Sequence, residues 1–339
     1  MAVSIKDVAR VAGVSSATVS RVLSDKPHVR PAVKERVRAA VENLGYQPNR
    51  VARSLRVQRS KVIGLIISDI QNSFFNTVVR AIEDTAQANG YAVFLSNSDE
   101  DPEKERLYLD LFRAEHVAGV ILTPTRAQVA ACDDLLKAGI PVVSVDRRLE
   151  LAVDTVLTDN VEASHNLVRT LLAQGHRRIG AVLPNLSITT GQDRFAGYSA
   201  ALSEAGISVQ KSLVRSGRPV VDDGFALTRQ LLELPSPPTA LFIGTKLMTL
   251  GALRAFYERG LSVPGDIALA AFDKLDWMPY MPPHSYAEQP TYALGERAAQ
   301  LLLERIEAPA REPQTLILSS SLHTVPGRGP PVALSPQPS

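Results

Sequence analysis

From Lys61 onward, short apolar runs return again and again, mostly separated by amphipathic helical stretches. The runs are "VIGLIIS", "AVFLSNS", "GVILTPT", "PVVSVD", "RIGAVLP", "ALFIGT" and "IALAAFD". A strand that is apolar along its whole length is covered on both faces, which happens where helices flank a parallel sheet. The alternation therefore predicts parallel α/β architecture. About seven strands with their helices, over roughly 260 residues, exceed one doubly wound unit, so two lobes are expected.

The residues ahead of Lys61 have a different texture. Ile5, Val8, Ala9 and Ala12 recur at helical spacing, Gly13 breaks the pattern, and Ser15 is a good N-cap for a second helix. That helix would turn Val19, Val22 and Leu23 inward. "RPAVKERVRAAVENLGY" gives a third, with Val33, Val37, Ala40, Val41 and Leu44 on one side and Gly45 as its stop. The chain's net charge of +2 hides an asymmetry: residues 1–60 hold twelve Lys and Arg against four Asp and Glu, a charge of +8, so the rest carries −6. A small basic head on a mildly acidic body points to a polyanionic partner for the head alone.

Two short helices joined by a tight glycine turn, then a third, describe a helix-turn-helix unit whose second helix enters the major groove. Its outward residues would be Ser16, Ala17, Ser20 and Arg21. Serine can contact several bases, an alanine methyl can pack on thymine, and arginine can fork onto guanine. A small helical bundle with another task has the same spacing; the basic charge weighs against it. Behind the head, "NRVARSLR" offers Asn49 as a cap, aligns Val51 with Leu55, and flanks them with Arg50, Arg53 and Arg56. So short a helix is marginal alone in water. One reading is a hinge helix formed on DNA, Leu55 wedged between base steps and arginines on phosphates. The other is a basic linker with no fold of its own.

Composition narrows the remaining classes. The start has no apolar signal segment and no run is long enough to span a membrane, so a cytoplasmic protein is expected. A single cysteine, Cys132, excludes an internal disulfide and a cysteine-based zinc site, and reads as a packing residue. No metal and no cofactor is expected. Residues 325–339, "VPGRGPPVALSPQPS", read as a disordered Pro-rich tail. No leucine heptad marks an assembly helix.

"IKDVARVAGVSSATVSRVL" followed by "GYQPNRVARSLR" resembles the DNA-binding head and hinge of the lactose-repressor (LacI/GalR) family. The likeness continues through "VIGLIISDIQNSFF", "GIPVVSVDR", "GHRRIGAVLP", "DRFAGYSAALSEAGI" and "EQPTYALGERAAQLLLERI", in the family's order, from Ser4 to about Thr324. The overall match looks closest to repressors of ketogluconate use. The resemblance implies a homodimeric repressor of double-stranded operator DNA, with a helix-turn-helix head over 1–48 and a hinge helix and linker over 49–60. It further implies an effector-binding and dimerisation domain over 61–324, with two lobes like periplasmic sugar-binding proteins. The chain would cross between these near Asn160, near Gln289 and before the tail, which assigns about 61–160 and 290–324 to the N-lobe and about 161–289 to the C-lobe.

Ligands of open α/β lobes bind beyond the carboxyl ends of strands. That rule selects Asn72, Ser73 and Phe74 after "IISDI", Asp146 and Arg147 after "VVSV", and Asp273 after "LAAF". Asp146 and Asp273 could equally serve as caps or crossing-strand partners. By resemblance, Arg194 matches the family's effector-contacting arginine, Thr190 the polar residue four before it, and Gln289 a polar residue at a lobe crossing. Three departures stand out. Thr245-Lys246 replaces the usual Asn-Asp pair, Ala163 stands where glycine is usual, and "HSYAEQP" puts Tyr286 near the cleft. Trp277 could stack on a sugar face or fill core.

Lysine offers only donors and a positive charge, and Lys246 falls where a helix beginning near Leu247 has its positive end. An anionic effector would offset that cost, with Arg194 and Arg147 or Arg218 sharing its charge. A sugar acid of the gluconate or 2-ketogluconate type is the expected effector. A neutral sugar, with Lys246 turned to solvent, is the alternative, as is a co-repressed rather than an induced member. A transport binding protein would lack the basic head, and an enzyme finds no G-x-S-x-G, Walker loop, zinc spacing or dinucleotide fingerprint here; the expectation is a regulator without enzymatic activity.

Overall fold

The computed structural model describes residues 3–23, 29–46, 60–125, 129–275 and 284–324. The chain divides after Ser60 into two compact units. The expected hinge helix, with Asn49, Arg50, Arg53, Leu55 and Arg56, lies outside the described residues, as do Trp277 and the tail over 325–339.

The first unit contains helices α1 (Ile5–Ala12), α2 (Ser16–Leu23) and α3 (Pro31–Asn43). Asp7 accepts from the Ser4 N–H at 3.0 Å and from its hydroxyl at 2.6 Å, which ties down the start of α1. Gly13, at φ 62°, ends α1 in the left-handed conformation that glycine adopts without a Cβ penalty. Ser15 then caps α2, its Oγ accepting from the Thr18 N–H at 3.2 Å. Val8, Ala9, Ala12, Val19, Val22, Val37 and Ala40 form one buried cluster.

The second unit holds two six-stranded sheets. In chain order its elements begin β1 (Val62–Ile67), α4 (Ser73–Ala88), β2 (Ala92–Asn97), α5 (Pro102–Ala114), β3 (Gly119–Leu122), α6 (Val129–Lys137), β4 (Val142–Val145) and β5 (Asp154–Thr158). They continue with α7 (Asn160–Ala173), β6 (Ile179–Pro184), α8 (Thr189–Glu204), β7 (Val214–Gly217), α9 (Val221–Leu232), β8 (Ala240–Ile243), α10 (Lys246–Glu258) and β9 (Ala268–Phe272). The last are β10 (Ser285–Glu288), α11 (Thr291–Glu307), β11 (Thr315–Leu318) and β12 (Ser321–His323).

The N-lobe sheet has the order β11-β5-β4-β3-β1-β2 and is parallel throughout. The C-lobe sheet has the order β12-β10-β9-β8-β6-β7 and is parallel except where β12 runs antiparallel to β10. Each of the seven apolar runs is a strand, but the described residues contain five more: β5, β7, β10, β11 and β12. These are short and mixed in polarity, and three of them, β7, β11 and β12, are edge strands, so they lack a continuous apolar signature.

The chain passes between sheets three times, after β5, after β10 and between β11 and β12. After the second passage α11 packs Leu294, Ala298, Leu301 and Leu302 into the N-lobe core. The assignment of 290–324 to the N-lobe therefore needs correction at its end. Residues 321–323 pair with β10 and belong to the C-lobe sheet, because the third crossing is completed within Ser319 and Ser320. The crossings are tied together: Thr158 Oγ1 donates to Gln289 Oε1 at 2.7 Å, and Ser320 donates to Asp159 Oδ1 from its N–H at 2.9 Å and its hydroxyl at 2.6 Å.

Candidate functional site

On the head, Val19 and Val22 are buried beneath α2 while Ala17 and Arg21 are exposed and Ser16 and Ser20 half-buried. The four residues singled out for base contact thus share the outward face, with the side-chain chemistry a groove-reading helix needs. Their reach is set by the valines, which fix the rotation of α2 on α1 and α3.

In the second unit, the carboxyl ends of both sheets meet at a narrow cleft. Asn72, Phe74, Asp146, Arg147, Thr190, Arg194, Asp273 and Gln289 line it. Local geometry explains why these side chains arrive together. Asn72 caps α4, its Oδ1 accepting from the Phe74 N–H at 3.1 Å. A side chain at Gly191 would run into the Asn185 carbonyl, so its absence lets the first turn of α8 approach the end of β6. That approach brings Thr190 and Arg194 into the wall. Asp146 and Asp273 have φ of 69° and 79°, a costly conformation for a non-glycine residue and one found at functional sites.

Arg147 and Arg194 are both buried yet differently engaged. Arg147 grips Glu100 with both terminal nitrogens, one of them at 2.7 Å. Burial works against its charge, but the Glu100 carboxylate outweighs that and raises its pKa. Arg194 donates to Asn160 Oδ1 at 2.9 Å and to the Gly244 carbonyl, with its guanidinium 3.7 Å from the Phe272 ring centre. Its pKa is lowered by burial, which Asp273 and Asp146 only partly oppose. The same burial raises both aspartates; the nearby arginines pull the other way. Gln289 Nε2 donates to Asp273 Oδ1 at 2.6 Å.

Lys246 is the first residue of α10, one position earlier than the expected start, and Thr245 caps that helix. The Lys246 ammonium reaches across the cleft to Ser73 Oγ at 2.9 Å, while its backbone N–H serves the Asp273 carboxylate. Ser73 and Lys246 thus bridge the lobes beside the cavity rather than line it. Arg218 is exposed and bound to Asp223 at 2.8 Å. Tyr286 stacks on His323, ring centres 4.5 Å apart, away from the cavity wall. Cys132 is buried in the N-lobe core, where burial pushes its thiol up to about 12. His176 is buried with Nδ1 3.0 Å from Thr239 Oγ1.

Several lining residues were not singled out by sequence: Ser68, Asp69, Phe75, Glu100, Pro184, Ile188 and Pro219. Glu100 follows β2, so the strand-end rule could have found it; the acidic setting "SDEDPE" masked it as a solvated loop. Among the described residues no three His, Cys, Asp or Glu side chains group as a metal site, and no helix is long and apolar enough to cross a membrane.

Residues 60–324 match the family of periplasmic binding proteins and sugar-binding domains of the LacI family, and residues 4–49 match bacterial regulatory proteins of the lacI family. Catabolite control protein A of Priestia megaterium is 36% identical over 307 residues, covering 89% of this chain and 92% of that protein. The crystal structure of the Lac repressor dimer bound to operator and the anti-inducer ONPF has a TM-score of 0.82 at 30% identity, over 95% of this chain and 98% of that one. The transcriptional regulator CelR in complex with cellobiose has a TM-score of 0.71 at 31% identity, with the same coverage of each chain. Head, two-lobed body and extended similarity agree: this chain belongs to the LacI family of bacterial regulatory proteins, as a DNA-binding transcriptional repressor.

Proposed function

We propose that a dimer of this chain reads a near-palindromic operator through Ser16, Ala17, Ser20 and Arg21 of each α2, and that a small carbohydrate between its lobes decides whether the operator is held. The hinge segment with Asn49, Arg50, Arg53, Leu55 and Arg56 would order between the half-sites and contribute the Leu55 wedge. Effector and operator then oppose each other by a single coupling factor. The observation that carries the effector half of this reading is the cleft itself. It gathers a buried arginine with neutral partners, two buried aspartates, Asn72 and Gln289 around one cavity. Convergent donors and acceptors beside the Phe74 and Phe75 rings suit a hydroxyl-rich ligand with an apolar face.

The charges around the cavity favour a neutral sugar. Glu100 answers Arg147, while Asp146 and Asp273 face Arg194. A ligand bringing hydroxyls satisfies these groups without adding an unmatched charge. The second reading is a sugar acid of the gluconate or 2-ketogluconate type. Lys246 favours it: an ammonium at the first position of α10, held only 2.9 Å from a serine hydroxyl across the cleft, could accept a carboxylate instead.

A thermal-shift screen of neutral sugars, phosphorylated sugars and sugar acids separates the two, because a ligand of the native state raises apparent stability. The first reading expects a neutral sugar to raise the midpoint and to change operator affinity. The second expects gluconate or a keto-gluconate to do so, and Lys246→Asp to abolish that response with operator binding intact. Arg21→Ala should cost about 1–3 kcal/mol of operator binding and relax base choice at one position of a selected duplex pool. No preference for any duplex over random DNA would overturn the regulator reading.

A further inference from the structure

Arg148 follows two cleft-lining residues, Asp146 and Arg147, yet its side chain leaves the N-lobe. It forks onto Asp193 of α8 in the C-lobe, Nη1 to Oδ2 at 2.6 Å and Nη2 to Oδ1 at 2.8 Å. Its backbone N–H donates to Thr189 Oγ1 of the same helix at 3.1 Å. Three bonds thus span the rim from one residue. Asp193 side chain is 18% exposed and Arg148 44%, so the pair is partly shielded at the carboxylate end. Planar two-point recognition of a carboxylate by arginine fixes orientation as well as distance.

We propose that Arg148 and Asp193 form a latch that holds the two lobes closed without any ligand and sets how far the cleft opens for one. This rests on the reading of the cleft as the effector site. Each half of the latch is covalently next to the wall it controls: Arg148 adjoins Arg147, and Asp193 adjoins Arg194. A ligand that draws on Arg194 therefore pulls on the element that bears Asp193. The latch and the Lys246–Ser73 bridge both join the lobes, but only the latch pairs opposite charges, so closure carries a salt-sensitive component.

Hydrogen exchange on the full chain, without DNA or sugar, tests the latch. Arg148→Ala and Asp193→Ala should each speed exchange about two- to ten-fold in peptides over 144–150 and 186–196, the range expected for losing a partly exposed bidentate pair. The charge-reversed double variant, Arg148→Asp with Asp193→Arg, should return both peptides toward wild type. Added salt should mimic the single variants in the wild-type chain. Unchanged exchange in the single variants, a rise that charge reversal leaves in place, or a rise that extends equally into β6 would overturn the proposal. Because the readout uses the protein alone, a failure of operator preference would register separately, against the regulator reading.

Discussion

In each lobe an aspartate of left-handed conformation ends a central strand at the cleft, Asp146 after β4 and Asp273 after β9. Each donates its N–H to the neighbouring strand at 2.9 Å, Asp146 to the Val156 carbonyl and Asp273 to that of Ala287. The two sheets thus repeat one device, and a buried arginine stands near each aspartate. What differs is the arginine's partner. In the N-lobe Arg147 closes a bidentate ion pair with Glu100, a bond complete without any ligand. In the C-lobe Arg194 is positioned by an amide oxygen and a carbonyl and held over Phe272, so position is fixed while charge is left for the cavity. Two buried arginines at one cavity, Arg147 next to Asp146 and Arg194 on α8, are thus held in different ways, and we propose that they act as a clamp and a sensor. A residue's nearness to the cavity does not by itself tell the two apart; the charge of its partner does.

The sharpest way to break that comparison is Arg194→Met. Methionine keeps the contact with Phe272 but takes from Asp273 and Asp146 one of the cations that oppose their desolvation, leaving Arg147 3.7 Å from Asp146 and Lys246 near Asp273. Urea unfolding at pH 7.5 should show a loss of about 3–5 kcal/mol. The loss should shrink toward pH 5, since both carboxyls have raised pKa values and can take a proton once the guanidinium is gone. Any sugar response found in the wild type should disappear, with nonspecific DNA binding unchanged. A variant as stable as wild type and still responsive would mean that Arg194 is not the sensor.

The lobes also differ behind their walls. The N-lobe buries Glu105, whose Oε2 accepts from the Thr125 N–H at 2.7 Å while Oε1 has no hydrogen-bond partner among the described residues. Ser68 Oγ and Thr123 Oγ1 are buried and lack a hydrogen-bond partner among the described residues as well, and Arg147 Nε has the Asp146 carboxylate only at 3.7 Å. Burial pushes the Glu105 carboxyl up to about 7, against the opposing effects of Thr125 and Arg147. Between pH 4.5 and 7 the folded chain then holds a proton that the unfolded chain has released, so this group lowers stability as pH rises through that window. Glu105→Gln removes the titration. Relative to wild type the variant should be about 3 kcal/mol better off at pH 8 than at pH 5, measured by urea unfolding at both. A flat difference across that range would show that Glu105 ionises freely and that the N-lobe wall carries no such strain.

This clamp-and-sensor distinction marks the boundary of what the amino-acid order discloses. Strands buried on both faces, such as β1, β4 and β9, announce themselves as apolar runs, and the strand-end rule leads from them to Asn72, Asp146, Arg147 and Asp273. β5 is fully buried too, yet "DTVLT" does not read as core. Its Asp154 is made tolerable by Arg305 and Arg311, each 2.9 Å away and about 150 residues further on. Thr190, Arg194 and Gln289 came from family resemblance, since nothing local says which arginine of a helix turns inward. Glu100 was missed for the converse reason: one inward carboxylate among several solvated ones has no local mark. Partners distant in sequence decide each case, and pattern reading along the chain has no access to them.

A finer test of the same comparison is Arg147→Gln. Glu100 remains 29% exposed at its side chain and can hydrate when its partner is lost, and Asp146, which loses Arg147 at 3.7 Å, keeps Arg194. The cost should therefore be about 1–2 kcal/mol at pH 7, below that of Arg194→Met, and sugar affinity should change only a few-fold. Arg147 also holds down the Glu105 pKa through its charge, so its removal should move the Glu105 titration upward. The pH at which stability falls would then shift to higher values in Arg147→Gln and vanish in the double variant with Glu105→Gln. Measuring the four proteins at pH 5 and pH 8 closes a double-mutant cycle. A coupling near zero would place Arg147 out of electrical contact with the buried carboxyl, and a lost sugar response at unchanged stability would make it a second sensor.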